Sequence, residues 1–354
     1  METNMRYPEI ISALPKREGL APSLDFYEYQ GFWFPLVYLE ATITLQEHFK
    51  ANPEDIFLCS SVKTGTTWLK ALAFSILTRD RFIQSPNPLL NTVPHECFPH
   101  MEVDLGDDPS YRTPQLPLLA THIPYTSLPK SILESGCKII YICREPKDAF
   151  TSYWHMLQTL KHLSTGPDAR EPAPSLEEEL EMFCQGKSAF GPCWDHVLGF
   201  WRASIERPET VLFLKYEELK KDELFYVKKL AEFMGKPFSQ EEEIEGVPEK
   251  IIGMCSFRNL SNLEVNKSGF YQKGRVYNNS FFRKGVVGDW KNLLTEDMKV
   301  MIDCTTEQKL QFSGFTFGSS SEQETEGKSM VQGLGRDRDR DRDDSTESSL
   351  ERVS

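Results

Sequence analysis

The chain has 354 residues, 39% of them hydrophobic, and a formal net charge of −13 at pH 7. This length suffices for one large domain or two small ones, and the acidic charge argues against a broad nucleic-acid-binding surface. No leader of basic and then apolar residues and no apolar run of about 20 residues is present, so we expect neither secretion nor a membrane span. The eight cysteines lack C-x-x-C or metal-ligand spacing, which predicts reduced thiols and a cytoplasmic protein.

Four compact apolar runs predict the buried strands of a parallel sheet, at residues 55–59, 117–121, 138–143 and 211–215. Helical periodicity between and around them predicts helices at residues 67–78, 147–158, 176–184, 190–205 and 222–234. Strands that alternate with helices in this way are typical of an α/β domain whose sheet is mainly parallel.

Two proline-rich segments, residues 80–117 and 163–175, interrupt this alternation, and we expect functional loops there. From about residue 319 the chain is rich in Ser and Glu and then repeats Arg-Asp from Arg336 to Asp343. A segment with so few apolar residues is predicted to be disordered. The predicted organisation is one domain over residues 1–318 and a disordered acidic tail over residues 319–354.

The first strand and the first helix are joined by a loop with a lysine, a glycine and several hydroxyl side chains: Lys63, Thr64, Gly65, Thr66, Thr67 and Trp68. A strand, a loop and a helix N-terminus in this order bind phosphate, because free N–H groups and the helix dipole act on the anion together. The loop is not a Walker A sequence, which requires G-x-x-x-x-G-K-[ST], since its lysine precedes the glycine. The segment therefore predicts an anion-binding loop of a different kind.

Two further basic elements are expected near this loop. Arg144 ends the strand at 138–143, and ligands of open α/β sheets collect at the carboxyl ends of the strands. Late in the chain, Arg283 and Lys284 precede Gly285, which permits close backbone approach, and this combination suits a second phosphate. Such a tripeptide commonly lies on a solvated surface and by itself predicts nothing. It supports a phosphate site only in combination with the loop at 63–68 and Arg144.

His122 follows the strand at 117–121 and is the histidine that we favour as a general base. A lone histidine is more commonly structural, but this one lies at the carboxyl end of a buried strand. His95 and His100 lie in the first proline-rich segment and could touch a substrate, whereas His196 has no special context. No pair of His, Cys or carboxylate residues has metal-ligand spacing, so no metal is expected.

Six ordered segments resemble the cytosolic sulfotransferases, and most closely those of plants: YQGFWFP, KTGTTWLKAL, ATHIPY, YICREPKDAFTSYWH, YEEL and FFRKGVVGDWKN. They span about residues 28 to 315. The resemblance implies a P-loop-like three-layer fold, in which a central parallel sheet of about five strands is flanked by helices. It also implies 3′-phosphoadenylyl sulfate as the co-substrate and a small hydroxylated molecule as the sulfuryl acceptor.

The same resemblance implies a role for each site residue. The loop at 63–68 would hold the 5′-phosphosulfate, with Trp68 stacked on the adenine and Tyr216 in contact with it. The 3′-phosphate would be bound by Arg144, Ser152, Arg283, Lys284 and Gly285.

Sulfuryl transfer would be an in-line displacement, with His122 as the catalytic base. Lys63 would stabilise charge on the bridging oxygen, and Ser152 would hold Lys63 away from that oxygen until the acceptor arrives. The acceptor pocket is expected to be apolar and aromatic.

Three residues depart from the family pattern. Val62 replaces a common proline, and Ala120 stands where animal members carry a second lysine. Cys255 stands where many members have a threonine that contacts the adenine, so we leave Cys255 out of the predicted site.

Alternatives remain at this stage. A nucleotide kinase that uses ATP would share the strand, loop and helix, but it would give the Arg283 element no 3′-phosphate to bind. A non-catalytic binding or scaffold protein would be expected to lose Lys63 or His122. The sequence does not distinguish among flavonols, other phenolics, steroids, hydroxyjasmonates and desulfoglucosinolates as the acceptor. The oligomeric state is expected to be a monomer or a weak homodimer.

Overall fold

The computed structural model of the chain describes residues 6–82, 86–106, 108–113, 116–163, 173–271 and 276–318. The described residues up to Thr316 form one compact unit. The predicted tail over 319–354 lies outside the described residues, and so do residues 164–172 of the second proline-rich segment. The domain boundary at residue 318 therefore stays a prediction.

The described residues contain short and long helices around three sheets. The strands are β1 (Lys16–Arg17), β2 (Phe26–Tyr29), β3 (Phe32–Pro35), β4 (Ile56–Ser60), β5 (Leu118–Thr121), β6 (Lys138–Cys143), β7 (Val211–Lys215), β8 (Phe270–Tyr271) and β9 (Val276–Tyr277). The α-helices are α1 (Arg6–Ser12), α2 (Leu36–His48), α3 (Thr66–Thr78), α4 (Met101–Asp104), α5 (Lys130–Glu134), α6 (Pro146–Leu163), α7 (Leu176–Cys184), α8 (Cys193–Glu206), α9 (Tyr216–Lys221), α10 (Glu223–Phe233), α11 (Gln240–Ile244), α12 (Val247–Cys255), α13 (Phe257–Asn262), α14 (Glu264–Ser268) and α15 (Glu296–Leu310).

The central sheet has the strand order β5-β4-β6-β7, and every neighbouring pair is parallel. Every residue of β4 and β5 is buried, which explains why their sequences are almost continuously apolar. The four predicted strands and the five predicted helices are confirmed. The largest difference is at α6, which continues beyond its predicted end to Leu163.

Alternate residues of the strands face two different layers of helices. Ile56 and Leu58 of β4 belong to an apolar core with α3, α10 and α12. On the opposite face, the ring of Tyr141 in β6 stacks on Phe200 of α8, with their centroids 4.2 Å apart. The architecture is therefore the three-layer α/β arrangement that the resemblance implied.

The sheet has one strand fewer, in the part of the chain that the structure describes, than the expected five or so. Beside β5 lies a single parallel bridge between His100 and Ala120. Pro99 has no N–H group to extend the ladder on one side of this bridge. On the other side the chain turns into α4 at Met101, and the N–H of His122, the next one at this edge of β5, donates to Glu102 Oε1 at 2.6 Å. Pairing at this edge therefore stops after one bridge.

The YQGFWFP segment forms a β-hairpin beside the central sheet. β2 and β3 pair antiparallel, and the two residues between them, Gln30 and Gly31, have φ values of 54° and 82°. Positive φ at both positions is typical of the two-residue type I′ turn, and glycine suits its second position. The hairpin also pairs with the segment before α8, since Trp33 N–H donates to the Gly191 carbonyl at 2.8 Å.

The helix that follows the anion-binding loop is held by its apolar face, which gives a first prediction. Leu72 of α3 is buried in the core shared with α10 and α12, so Leu72→Ala should lower the free energy of unfolding by about 2–5 kcal/mol. Leu90 is 40% exposed, so Leu90→Ala is the matched control and should change it by less than about 1 kcal/mol. Denaturant titration of both variants measures this, and equal losses would contradict the assigned core.

Candidate active site

The residues predicted to be functional meet at the carboxyl-terminal edge of the central sheet, where ligands of open α/β sheets bind. His122 follows β5, and the anion-binding loop begins shortly after β4. Arg144 follows β6 and Tyr216 follows β7. A cleft at this edge is lined by every predicted site residue except Thr64: Lys63, Gly65, Thr66, Thr67, Trp68, His122, Arg144, Ser152, Tyr216, Arg283, Lys284 and Gly285.

The anion-binding loop has an unusual backbone. Lys63 and Gly65 have left-handed conformations, with φ values of 67° and 119°. A non-glycine residue at positive φ is uncommon, and such strain is concentrated at functional sites. A Cβ atom on Gly65 would lie 2.9 Å from the Tyr216 ring, so glycine is also required sterically. The turn lets α3 begin at Thr66, where the first N–H groups lack intrahelical acceptors and the helix dipole favours an anion.

Thr64 is the predicted site residue whose side chain does not line the cleft. Its Oγ1 donates to the carbonyl oxygens of Ser61 at 2.8 Å and Ile142 at 3.1 Å. Because Ile142 belongs to β6, the hydroxyl fastens the loop to the neighbouring strand. The role of Thr64 as a co-substrate contact stays a prediction.

Lys63 is a cation held among other cations. Burial, and then the charges of Arg283 and Arg144, lower the pKa of its ammonium group to about 8. Its Nζ donates to the carbonyl oxygen of Ser280 at 3.3 Å. This partner differs from Ser152, which was expected to hold Lys63 and which lines the same cleft. An anion placed in the cleft would relieve the repulsion that Lys63 experiences.

The second cationic group consists of Arg144 and the segment at 283–285. Arg144 donates from Nη2 to the Val286 carbonyl at 2.7 Å, and its guanidinium lies 4.6 Å from the centre of the Tyr216 ring. The Nε atoms of Arg144 and Arg283 are buried and have no hydrogen-bond partner within the described residues. Buried donors are normally satisfied, so these two atoms are exceptions within the packing of the second cationic group.

A carboxylate that the sequence analysis missed organises the segment at 283–285. Asp289 accepts hydrogen bonds from Arg283, from Lys284 Nζ at 2.7 Å and from Asn292 Nδ2 at 2.9 Å. Burial would raise the pKa of Asp289, but these three donors hold it well below its usual range. The adjacent cations are thereby kept in place despite their mutual repulsion. The only sequence signal was an acidic residue close to two basic ones.

Asp148 fastens the same segment to α6. Its Oδ2 accepts the N–H of Gly288 at 2.7 Å and its Oδ1 accepts the N–H of Trp290 at 3.1 Å. The same carboxylate lies 3.6 Å from Arg144 Nη2, one helical turn earlier. Asp148 thus links the two parts of the second cationic group, although it does not line the cleft itself.

Aromatic side chains form another part of the cleft. The rings of Trp68 and Tyr216 meet edge to face, with centroids 5.5 Å apart, and Lys220 Nζ lies 5.0 Å from the centre of the Trp68 ring. Phe257 also lines the cleft and packs against Gly285, which has a φ of 64°. A Cβ atom on Gly285 would come within 2.4 Å of the Phe257 ring, so glycine is needed for this packing.

Cys255, which the sequence analysis left out of the site, lies on the wall of the cleft. Its Sγ is 3.3 Å from Ser75 Oγ, within hydrogen-bond distance for sulfur. Burial raises the pKa of the thiol to about 12, so it is neutral at physiological pH. The side chain therefore contributes shape rather than charge to the wall.

The ring of His122 has the tautomer that a general base requires. Its Nδ1 lies 2.7 Å from the carbonyl oxygen of Ser60, which can only accept, so Nδ1 carries the proton. The other nitrogen, Nε2, is therefore the unprotonated one. Burial, and then the neighbouring His100, lower the pKa of His122 to about 3, so the ring is neutral at pH 7 and able to accept a proton.

His196 corrects the sequence analysis, which gave it no special context. It is buried in α8, and its Nε2 donates to the carbonyl oxygen of His122 at 2.9 Å. Its Nδ1 accepts from the Tyr141 hydroxyl at 2.9 Å, and burial lowers the pKa of His196 to about 4. His196 therefore holds the backbone of the candidate base, a contact between residues 74 positions apart.

The two histidines of the first proline-rich segment have different positions. His95 lines the cleft, its Nε2 lies 2.9 Å from Thr67 Oγ1, and its ring stacks on Phe281 at 4.0 Å. His100 is buried and does not line the cleft, but its ring centroid lies 4.6 Å from that of His122. Only His95 is therefore placed to touch a ligand directly.

Apolar side chains lie beside His122, as expected for an acceptor region. The Phe190 ring centroid is 5.6 Å from that of His122 and 5.8 Å from that of Tyr38, against which it stacks. Val62 lines the cleft and packs on the same apolar cluster. The β2–β3 hairpin contributes Phe32 and Phe34 to that cluster, so YQGFWFP lies near the candidate base.

Among the described residues, no group of three or more His, Cys, Asp or Glu side chains could hold a metal ion. None of the helices in those same residues combines the length and apolar character needed to cross a membrane.

Comparison with known proteins assigns the chain to a family. A model of the sulfotransferase domain matches residues 53–314. Cytosolic sulfotransferase 17 of Arabidopsis thaliana is 48% identical over 320 residues, which cover 89% of this chain and 91% of that protein. Flavonol 4′-sulfotransferase of Flaveria chlorifolia is 48% identical over 315 residues, which cover 86% of this chain and 95% of that protein.

Two solved structures share the fold. A sulphotransferase from Arabidopsis thaliana has a TM-score of 0.69 and 36% identity, with 90% of this chain and 97% of that chain covered. Mouse sulfotransferase SULT7A1, crystallised with PAP, has a TM-score of 0.61 and 26% identity, with 87% of this chain and 99% of that chain covered. The match to the family model and these similarities show that the chain belongs to the sulfotransferase family.

Proposed function

We propose that the protein transfers the sulfuryl group of 3′-phosphoadenylyl sulfate to a hydroxyl of a small, apolar phenolic acceptor such as a flavonoid. The observation that carries this proposal is the convergence on one cleft of Lys63 in the anion-binding loop, the second cationic group and the unprotonated Nε2 of His122. The bound PAP of mouse SULT7A1 supports the donor, and the name of the Flaveria chlorifolia relative supports the acceptor class.

The donor would lie along the carboxyl-terminal edge of the sheet. The loop at 63–68 and the start of α3 would bind the 5′-phosphosulfate. The 3′-phosphate would be bound by Arg144, Ser152, Arg283, Lys284 and Gly285. The two arginines line the cleft and are suited to this role, since arginine–phosphate bonds are charge-assisted. The aromatic part of the cleft, Trp68 and Tyr216, would bind the adenine.

The reaction would be an in-line displacement at sulfur. The acceptor oxygen forms a bond to sulfur while the bond from sulfur to the 5′-phosphate oxygen breaks. The proton of the acceptor hydroxyl passes to Nε2 of His122 and later to water. Lys63 stabilises the negative charge that collects on the departing oxygen. The products are a sulfate ester and 3′-phosphoadenosine 5′-phosphate, and positioning contributes much of the catalysis.

The acceptor would lie between His122 and the apolar cluster that contains Val62 and Phe190. An apolar and aromatic wall favours an uncharged ring system over a charged acceptor. Relatives named cytosolic sulfotransferases support the cytoplasmic location expected from the sequence. A monomer or a weak homodimer remains our expectation for the assembly.

The choice of co-substrate is tested by ligand stabilisation. We expect 3′-phosphoadenosine 5′-phosphate at about 100 times its Kd to stabilise the folded protein by roughly 2.7 kcal/mol, because it binds only the folded state. ATP with magnesium, which lacks the 3′-phosphate, should raise the melting temperature much less at the same concentration. If ATP with magnesium stabilises the protein and the bisphosphate does not, the kinase interpretation replaces ours.

The role of the base is tested by separating turnover from binding. His122→Ala should lower kcat by about 10²–10⁴-fold, the usual contribution of a general base, and leave bisphosphate affinity nearly unchanged. His48 has an exposed side chain on α2, so His48→Ala is the control and should turn over normally. Steady-state kinetics and calorimetry measure the two quantities, and ordinary turnover by His122→Ala would contradict the assignment.

The two phosphate sites are tested with a pair of nucleotides. A charge-assisted hydrogen bond contributes roughly 1.5–3 kcal/mol, so Arg283→Ala should weaken bisphosphate binding by about tenfold or more. Binding of adenosine 5′-phosphate, which lacks the 3′ group, should hardly change. Arg202 is exposed on α8 and does not line the cleft, so Arg202→Ala should leave both affinities as they are. Equal losses for the two nucleotides with Arg283→Ala would mean that Arg283 only supports the fold.

A further inference from the structure

Glu102 is a buried carboxylate that neither the sequence motifs nor the proposed mechanism uses. It belongs to the short helix α4 and is only 3% exposed. Its Oε1 accepts the backbone N–H of His122 at 2.6 Å and lies 2.9 Å from Nε2 of His100. Its Oε2 accepts from Thr121 Oγ1 at 2.8 Å. A buried charge is costly unless it is paired and hydrogen-bonded, and Glu102 has three partners around the candidate base.

We propose that Glu102 is a positioning residue for proton transfer, which fixes the backbone of His122 and stabilises the imidazolium that forms when His122 takes the acceptor proton. This inference rests on the proposed function, because it assigns a second group to the same base.

The geometry leaves His122 little freedom. Glu102 holds its N–H, His196 holds its carbonyl oxygen at 2.9 Å, and Ser60 holds Nδ1 of its ring at 2.7 Å. The ring of His100, itself bound to Glu102, packs 4.6 Å from the ring of His122. These contacts fix both the peptide and the imidazole of the base. A base held in this way loses little entropy when the acceptor hydroxyl arrives.

The charge of Glu102 acts in the direction that the reaction requires. Burial would raise the pKa of Glu102, but His100 and the His122 N–H lower it to about 2, so the carboxylate is ionised at physiological pH. Burial and His100 lower the pKa of His122, whereas the negative charge of Glu102 raises it. The carboxylate therefore favours the protonated ring, which exists only after the proton has moved. Interactions that strengthen as charge develops are the ones that accelerate a reaction.

The test uses Glu102→Gln, which removes the charge and keeps the size of the side chain. Glu179→Gln is the matched control, since Glu179 is equally buried, pairs with Arg17 and does not line the cleft. The acceptors are phenols that the wild-type protein turns over, ordered by acidity from nitro-substituted to alkyl-substituted rings. A nitrophenol that is ionised at the assay pH has no proton to give, so its transfer does not depend on the base.

We expect Glu102→Gln to lower kcat by about tenfold or more for the weakly acidic phenols and by less than about threefold for the ionised nitrophenol. Bisphosphate affinity measured by calorimetry should stay within about twofold, which also shows that the variant is folded. Glu179→Gln should give the same ratio to wild type for every phenol. A loss with Glu102→Gln that is equal for all acceptors would overturn the inference, because it would indicate a purely structural role.

Two further measurements complete the test. If Glu102→Gln does not bind the bisphosphate, Glu102→Asp replaces it; this variant keeps the charge but shortens the side chain, and its loss should follow the same order of acidity. A uniform loss with Glu102→Asp again overturns the inference. His122→Ala is measured with the same phenols. If His122→Ala turns over alkylphenols normally, His122 is not the base. If His122→Ala loses turnover of alkylphenols but Glu102→Gln does not show the expected dependence on acidity, only the inference about Glu102 is overturned and the proposed function stands.

Discussion

The cleft depends on one electrostatic constraint: several cations line it together, and no carboxylate of the described residues lines it with them. Lys63, Arg144, Arg283 and Lys284 all line the cleft, although the chain as a whole carries a net charge of −13. Asp289 bonds Arg283 and Lys284, and Asp148 fastens the segment that carries them, but neither carboxylate lines the cleft. The backbone carbonyl groups of Ser280 and Val286 accept hydrogen bonds from Lys63 and Arg144, respectively. The cations keep their positions, and the space in front of them is available to a polyanion.

Much of the fold could be predicted because its signals are local. Apolar runs gave the four strands of the central sheet, and periodicity gave the main helices. The missing edge strand could not be predicted from an apolar run, because the cause is specific: Pro99 lacks an N–H, and the next N–H at that edge of β5, on His122, is used by Glu102. The backbone conformation of the anion-binding loop could not be predicted either, since Lys63 adopts a left-handed conformation that its residue type does not favour.

Candidate site residues could be predicted where they lie in one local motif. They could not be predicted where residues distant in the sequence come together only in the fold. The loop at 63–68, Arg144 and Arg283 have local signals of charge and glycine placement. Glu102, His196 and Asp289 are identified only by the partners that the fold brings to them. The candidate base shows the difference: the register that pairs Cys59 with Thr121 puts the next residues, Ser60 and His122, side by side. The sheet thereby sets the tautomer of the ring, which no sequence pattern contains.

The crowded cations also make ligand binding a proton-linked equilibrium. Because the pKa of Lys63 is about 8 in the free cleft, part of the protein population carries an uncharged amine in mildly alkaline solution. An anion favours the charged amine, so its arrival draws a proton from the buffer and the apparent affinity declines as the pH rises through 8 and above. The heat measured for binding would then include the ionisation heat of the buffer.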